Sequence, residues 1–202
     1  SGKNFVDDVF SGLLFILIIL IIIVEIFTPF LVFLIAPGFY EDSEKFNIAT
    51  EFTRITFPFL LFVSLSSLLS GILNTNNKFA AAAAAPIILN IVLIFILLMS
   101  FFYDQNLAKS LSIGVTLAGI LQFIILVFFT KKFYFPSIKF VFSFSKRIKF
   151  FLKKLLPSIF SSGITQINIL IGTIIASFQS GAVSYLYYAD RIYQINLAIA
   201  GI

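Results

Sequence analysis

The charged side chains that interrupt the apolar segments of this chain are the residues best suited to chemistry. Asp190 and Arg191 are neighbours in GAVSYLYYADRIYQ, residues 181–194, and Glu25 lies in another apolar run. A charge at the centre of a bilayer costs roughly 2.5–3.5 kcal/mol, so it usually faces a bundle interior or a water-filled cavity. Arginine is permanently charged and offers a planar fork of donors that fits phosphate. The pair therefore predicts either a phosphate-binding group or an arginine tied to an acid on another helix for assembly alone.

Other polar residues lie on the same segments. Ser184 precedes Arg191 by seven residues, so the two share one face of a helix. Glu25 lies four residues before Pro29, and the sequence predicts either an interfacial position or a pairing with a lysine. Further polar side chains that could line the same cavity are those of Gln166, Asn168, Thr173 and Ser177.

Composition narrows the class of protein. Hydrophobic residues make up 60% of the chain and charged residues 11%, with a mean hydropathy of +1.09. A soluble domain is roughly half apolar and a quarter charged. The absence of cysteine and histidine removes disulfides, thiolate nucleophiles, the usual zinc ligands and the commonest general base. We therefore expect an integral membrane protein that is not an enzyme and has no cofactor, metal site or nucleic-acid partner.

Six apolar segments have the length of a membrane span, which needs about 20 mostly apolar residues. They are residues 9–36, 53–73, 80–102, 111–130 and 155–178, and a sixth that begins near residue 182. Turns rich in Pro, Gly and Asn separate them. The sequence therefore predicts an all-α, polytopic membrane helical bundle. Because the chain begins with Ser1 and ends at Ile202 inside an apolar pattern, we expect it to be an internal piece of a longer protein.

The charges between the spans predict their orientation. Residues 131–154 carry eight lysines or arginines and no acid, so the positive-inside rule places this link in the cytoplasm. Counting back through the spans, the turn 74–78 and the start of the chain are also predicted inside, and the acidic loop 38–52 and Asp104 outside. Over residues 145–156 apolar side chains recur at helical spacing, which is typical of an amphipathic helix lying in the membrane interface. Its basic residues either only set the topology or also hold anionic lipid or substrate head groups. They are Lys146, Arg147, Lys149, Lys153 and Lys154.

Two long stretches carry recognisable motifs. RITFPFLLFVSLSSLLSGILNTNNKFAAAAAAPIILNI, residues 54–91, contains Arg-Ile-x-Phe-Pro, a Gly-x-Leu-Asn-Thr turn and Pro-x-x-x-Asn. LLPSIFSSGITQINILIGTIIASFQSGAVSYLYYADRIYQ, residues 155–194, contains the more specific run Tyr-Tyr-Ala-Asp-Arg, and APGF at 36–39 fits as well. With these motifs the chain resembles, over nearly its whole length, the bacterial MurJ (MviN) family of lipid II flippases. That family belongs to the multidrug, oligosaccharidyl-lipid and polysaccharide exporter superfamily.

The resemblance implies a fold of about fourteen spans, of which the six seen here would be the third to the eighth. Residues 1–135 would complete the amino-terminal lobe with four spans. Residues 136–154 would form a basic amphipathic linker helix in the cytoplasm. Residues 155–202 would open the carboxy-terminal lobe with two spans, the second of them incomplete.

The resemblance also implies a function. The family carries lipid II, the undecaprenyl-pyrophosphate-linked peptidoglycan precursor, from the inner to the outer leaflet of the bacterial inner (cytoplasmic) membrane by alternating access. Arg191 would contact the pyrophosphate or the sugars of the substrate, and Ser184 would line the cavity. Asp190 would help to place Arg191 or partly balance its charge. The family's other cavity arginines lie in spans that this chain does not contain.

Three alternatives stay open. One is an exporter of the same fold that moves a polysaccharide-linked lipid or a drug with an ion gradient. Another is a membrane-embedded glycosyl- or phosphotransferase, which would need paired acids or a metal site at the membrane surface. The acids of residues 38–52 show no Asp-x-Asp spacing and are predicted on the side opposite to nucleotide sugars. The third is a scaffold without a transport function.

Overall fold

The computed structural model describes residues 2–103, 106–138 and 146–200. Within these ranges the chain forms seven α-helices and one short 3-10 helix, and no strand. The helices are α1 Gly2–Ile35, α2 Ser43–Thr56, α3 Phe59–Thr75, α4 Phe79–Tyr103, α5 Leu107–Thr130, α6 Lys146–Ser177 and α7 Ala182–Ala200, and the 3-10 helix is Pro37–Glu41. The predicted all-α class is confirmed. Asp104, which the charge pattern puts outside, and residues 139–145 of the link fall outside the described residues.

Among the described residues, five helical segments are long and apolar enough to cross a membrane. They are Lys3–Ile35, Ser43–Thr75, Phe79–Ser100, Leu107–Thr130 and Ile148–Ser177. Helix α7, with 19 residues, follows where the sixth span is predicted. Lipid offers no partner to backbone N–H and C=O groups, so a helix, which pairs them within one segment, is the form that apolar runs of this length take. The predicted membrane helical bundle is thus confirmed.

Two prolines bend or interrupt the apolar helices. Helix α1 has a kink at Phe27 (φ −100°, ψ 18°), two residues before Pro29. Proline has no N–H to continue the backbone ladder, and its ring crowds the preceding turn, which explains the kink. Pro58 stands between α2 and α3, where it occupies the position before the first residue of α3. The second membrane-spanning segment therefore consists of two helices.

Residues 38–52 are largely helical, so the interpretation of this segment as a loop was wrong. The side-chain Oδ1 of Asp42 accepts hydrogen bonds from the backbone N–H groups of Glu44 and Lys45, each at 3.1 Å. Aspartate is among the best residues for capping a helix start, because its oxygen satisfies N–H groups that have no partner in the helix. Its negative charge also suits the positive end of the helix dipole. This cap starts α2 directly after the 3-10 helix.

The described chain divides into two compact units. Unit 1 comprises Ser1–Ile26 and Phe52–Phe150, and unit 2 comprises Phe27–Glu51 and Phe151–Ile202. In unit 1, α3, α4 and α5 pack against one another. Two glycines of α5 permit close packing: a Cβ on Gly119 would lie 2.6 Å from Phe59 Cδ2, and one on Gly114 would lie 2.5 Å from Ile96 Cδ1. Small side chains at helix contacts are typical of membrane proteins.

The core of unit 1 lies where four helix ends meet. Its buried residues are Leu69, Leu73, Ala85, Leu126 and Tyr134, and Val6 packs against them. These residues come from the start of α1, the end of α3, the start of α4 and the end of α5 with the segment after it. All four are ends that the charge pattern predicts on the cytoplasmic side, so the packing of unit 1 agrees with that orientation.

A buried acid joins the first helix to the segment that follows α5. The Tyr134 hydroxyl donates a hydrogen bond to Asp7 Oδ1 at 2.8 Å, and the two residues are 6% and 3% exposed. Burial raises the pKa of Tyr134 above its ordinary value, and the hydrogen bond to Asp7 raises it further. Nearby, the Ser11 hydroxyl donates to the Ser137 carbonyl at 3.3 Å. The beginning of the basic link is thereby fastened to α1.

We predict that Tyr134→Phe destabilises the protein. A hydrogen bond to a charged group contributes about 1.5–3 kcal/mol to the free energy of unfolding. Removing the Tyr134 hydroxyl also takes one hydrogen bond away from the buried Asp7 carboxylate. The measurement is the thermal unfolding temperature of the full-length protein in detergent, which should fall. Tyr40→Phe is the matched control, because Tyr40 is 65% exposed and its ring contacts survive the change. Equal melting temperatures for the two variants would contradict this account of the Asp7–Tyr134 bond.

Unit 2 contains a close approach between distant parts of the sequence. The backbone N–H of Gly38 donates to Ser177 Oγ at 3.0 Å, and Ser177 is 2% exposed. A Cβ added to Gly38 would overlap the backbone of Ser177 and Phe178, so only glycine fits at this contact. The 3-10 helix that carries Gly38 is itself braced, since the Tyr40 ring makes edge contacts with Phe33 and Phe46 at 5.5 Å. The contact therefore joins an ordered segment to the end of α6.

Candidate functional site

The polar face of α7 is the candidate site, and a tight turn sets the start of that helix. Helix α6 ends at Ser177, and Gly181 has a positive φ of 76°. Glycine adopts this conformation without the steric cost that a Cβ brings. The N–H of Ala182 bonds to the Gln179 carbonyl at 3.3 Å, and the N–H of Tyr185 bonds to the Gly181 carbonyl at 3.1 Å. The chain thus leaves α6 and enters α7 within four residues.

Five polar residues of α7 lie along one side of the helix. Members that are three or four residues apart lie above each other, Asp190 and Arg191 are adjacent, and the whole set extends over about three turns. They are Ser184, Tyr187, Asp190, Arg191 and Gln194. Asp190 is half-buried, whereas the other four are exposed in the described chain.

The guanidinium group of Arg191 is held by side chains of its own helix. Its Nη2 donates to the Tyr187 hydroxyl at 2.8 Å, and its Nη1 donates to Gln194 Oε1 at 3.1 Å. The guanidinium carbon also lies 4.8 Å from the centre of the Tyr187 ring. An arginine over an aromatic face gains electrostatic attraction in addition to its hydrogen bonds. Three contacts therefore orient the group.

Gln194 stands between the acid and the base. Its amide Nε2 donates to Asp190 Oδ2 at 2.6 Å, while its Oε1 accepts from Arg191. Within the described part of the chain, Asp190 and Arg191 form no ion pair with each other. Asp190 and Arg191 are neighbours on the helix and point about 100° apart. Gln194 lies three residues after Arg191 and four after Asp190, so its amide can reach both side chains. One carboxylate oxygen of Asp190 thus has a neutral partner, and in the described chain the acid does not pair with the arginine directly.

The arrangement leaves Arg191 able to bind an anion. A guanidinium has five N–H donors. Two of them serve the bonds to Tyr187 and Gln194, and the remaining three have no hydrogen-bond partner in the described part of the chain. Phosphate and pyrophosphate oxygens are natural acceptors for such donors, because bonds between two charged groups are roughly twice as strong as neutral ones. The site can therefore hold a phosphate group at the surface of α7.

The other predicted polar residues lie elsewhere. Ser184 is on the same face as Arg191, about 10 Å along the helix axis by its seven-residue spacing, and joins no hydrogen bond of the arginine group. Ser177 is buried against Gly38. Glu25 is half-buried, close to the kink in α1. In the described chain, no group of three or more His, Cys, Asp or Glu side chains is placed to hold a metal ion.

Of the linker helix predicted over residues 136–154, residues 136–138 are not helical, and the part from Lys146 onward belongs to α6. Helix α6 runs unbroken from Lys146 through Pro157 to Ser177. Ile148, Phe151 and Leu155 are half-buried in its first part, and the exposed lysines there are Lys149, Lys153 and Lys154. The side chains of Lys146 and Arg147 fall outside the described residues. Binding of anionic lipid by these residues stays a prediction.

Tyr187 and Gln194 are the members of the site that the sequence reasoning missed. Both lie at spacings that bring side chains together on a helix: four residues separate Tyr187 from Arg191, and four separate Asp190 from Gln194. A search for polar partners at three and four residues from Arg191 would have found them.

Comparison with known proteins decides the family. The profile described as "Lipid II flippase MurJ" matches residues 1–202. The chain belongs to this family. It is 43% identical to the "Probable lipid II flippase MurJ" of Rickettsia prowazekii over 203 residues, which cover 100% of this chain and 39% of that protein. The resemblance predicted from the motifs is thus confirmed.

Other relatives give the same result. Identity is 40% to the "Probable lipid II flippase MurJ" of Rhizobium meliloti, over 99% of this chain and 38% of that protein. It is 32% to the "Lipid II flippase MurJ" of Burkholderia cenocepacia, over 85% of this chain and 34% of that protein. The chain therefore spans about two fifths, or less, of the length of these relatives. Their names describe transporters and not catalysts.

Proposed function

We propose that the protein containing this chain is a lipid II flippase of the bacterial inner membrane, and not an enzyme. It would move undecaprenyl-pyrophosphate-linked lipid II from the inner to the outer leaflet. The observation that carries this proposal is Arg191, which is oriented by Tyr187 and Gln194 and keeps donors for an anion. The names of the relatives agree with that substrate. Ser184, on the same face of α7, would line the path of the head group.

A pyrophosphate has two features that suit this site. It carries negative charge, which the permanently charged guanidinium attracts strongly where water is scarce. Each phosphate group also presents pairs of oxygens to which the planar arginine fork can donate two parallel hydrogen bonds. Asp190 does not compete directly for the same donors, since its carboxylate is engaged by Gln194. The site therefore favours an anionic head group over the cationic compounds that many drug exporters carry.

We predict that Arg191→Ala abolishes function. The full-length gene would be tested in a bacterium whose own flippase can be switched off, with growth as the measurement and membrane levels of each protein checked. The intact gene should support growth, Arg191→Lys should support it weakly because lysine lacks the planar fork, and Arg191→Ala should fail. Lys132→Ala, which removes one exposed positive charge outside the site, is the control.

The outcomes of that experiment separate the alternatives. Growth with both the intact gene and Arg191→Ala would mean that Arg191 is structural or redundant. Failure of both, with normal membrane levels, would favour a same-fold exporter of another lipid.

We further propose that transport uses alternating access. In such a mechanism the central cavity opens to one side of the membrane while the other side is closed. In the proposed lobe assignment Gly38 belongs to the amino-terminal lobe and Ser177 to the carboxy-terminal lobe. Their bond lies where the charge pattern predicts the outer face. The close contact of the two backbones supports a conformation that is closed on the outside.

We predict that Gly38→Ala opens this contact, because the new Cβ would overlap the Ser177 backbone. A cysteine replacing Thr173, one turn before Ser177, would report the change. Its labelling by a membrane-impermeant maleimide from outside should rise in Gly38→Ala cells. Gly163→Ala is the matched control, since a Cβ there meets open space on the same helix. Unchanged labelling in Gly38→Ala would speak against a closed outer contact at this position.

A further inference from the structure

Gln194 uses both ends of its amide within α7. Its Nε2 donates a hydrogen bond to Asp190 at 2.6 Å, and its Oε1 accepts one from Arg191 at 3.1 Å. Although neighbouring residues of a helix point about 100° apart, a long arginine side chain can turn toward an unoccupied carboxylate next to it, and opposite charges attract strongly where the dielectric constant is low. The amide satisfies the carboxylate with a neutral donor instead. The positive charge of Arg191 consequently stays available to a ligand.

Tyr187 restrains the same guanidinium from the other side. Its hydroxyl accepts from Nη2 at 2.8 Å and its ring lies under the group, with the guanidinium carbon 4.8 Å from the ring centre. The Tyr187 ring in turn makes an edge contact with the Tyr188 ring, with 6.4 Å between their centres. An arginine side chain loses much rotamer freedom when it is fixed, and a site in which that entropy is already lost binds its ligand more tightly.

We propose that Tyr187 and Gln194 are positioning residues for the anion-binding function of Arg191. Tyr187 holds the guanidinium in one orientation, and Gln194 keeps Asp190 from neutralising it. This inference rests on the proposed function, in which Arg191 binds the pyrophosphate of lipid II. In this proposal, Arg191 is already oriented before the ligand binds, and the amide of Gln194 keeps Asp190 from pairing with it.

A simpler explanation is that these polar residues only satisfy one another in an apolar surrounding. The two explanations differ in how mutations combine. If the residues only satisfy one another, Gln194→Leu leaves the carboxylate unsatisfied and lowers stability, Asp190→Asn relieves this, and neither change alters the affinity for the anion. If Gln194 restrains Asp190, the affinity itself falls when the amide is removed, and it recovers in part when the acid is removed as well. A double-mutant cycle measures this difference directly.

The test is equilibrium binding of lipid II to the full-length protein in lipid nanodiscs. Gln194→Leu should weaken binding by about fivefold or more, because Asp190 is then free to pair with Arg191. Adding Asp190→Asn to Gln194→Leu should strengthen binding again by at least about threefold relative to the single variant, and Asp190→Asn alone, which completes the cycle, should strengthen it by less. Tyr187→Phe, which keeps the ring and removes the hydroxyl, should weaken binding by roughly three- to tenfold.

Two matched controls accompany these variants. Gln179→Leu makes the same change at an exposed glutamine in the turn before α7, where the described hydrogen bonds involve only its backbone. Tyr185→Phe makes the same change at a tyrosine that is 72% exposed. Neither should alter binding. A double variant that binds as weakly as Gln194→Leu, or more weakly, would overturn the role given to Gln194, and equal binding by Tyr187→Phe and Tyr185→Phe would overturn that of Tyr187.

A second readout does not need lipid II. In protein labelled with ¹⁵N-arginine, the guanidinium signals of Arg191 are identified by their loss in Arg191→Lys. Their exchange with water should rise roughly three- to tenfold in Tyr187→Phe and in the double variant Gln194→Leu with Asp190→Asn, since each removes one hydrogen bond and frees no carboxylate to replace it. Unchanged exchange would refute the positioning role. If wild-type protein fails to bind lipid II, the proposed function falls, and this exchange measurement alone decides the positioning role.

Discussion

A charged side chain inside a membrane protein needs partners from the protein itself, and this requirement organises the candidate site. Arg191 finds two hydrogen-bond acceptors and an aromatic face on its own helix, all within about one turn on either side. No partner from another helix is needed to orient it. The remaining donors can then serve a ligand that arrives and leaves, which is what a transporter of an anionic lipid requires.

The same need for internal partners explains the rest of the described structure. Apolar stretches form helices because lipid offers nothing to backbone groups. Particular residues set where the helices begin and end. Asp42 caps α2, Pro58 separates α2 from α3, and Gly181 forms the turn that leads into α7. The buried side chain of Asp7 finds its partner in the same way, in Tyr134. Small residues then let these elements approach closely, most tightly at Gly38.

Much of this could be predicted from the sequence, since span length and hydropathy follow from composition and the family follows from short motifs. The helix over residues 43–56 was not predicted, because its acids were interpreted as a loop although Asp42 is a capping residue. The bonds of Asp7 to Tyr134 and of Gly38 to Ser177 join residues more than a hundred positions apart, and no local pattern reveals such pairs. Arg191 was singled out by its charge, whereas Gln194 required knowledge of side-chain directions.

In the proposed function, Arg191 binds the pyrophosphate of the lipid that the full-length protein would move. The most direct measurement is the rate at which the full-length protein, reconstituted in liposomes, moves labelled lipid II between leaflets. Wild-type protein should accelerate this movement, and Arg191→Ala should slow it at least about tenfold at equal incorporation, as expected for the loss of charge-assisted hydrogen bonds. Equal rates for the two proteins would contradict the account.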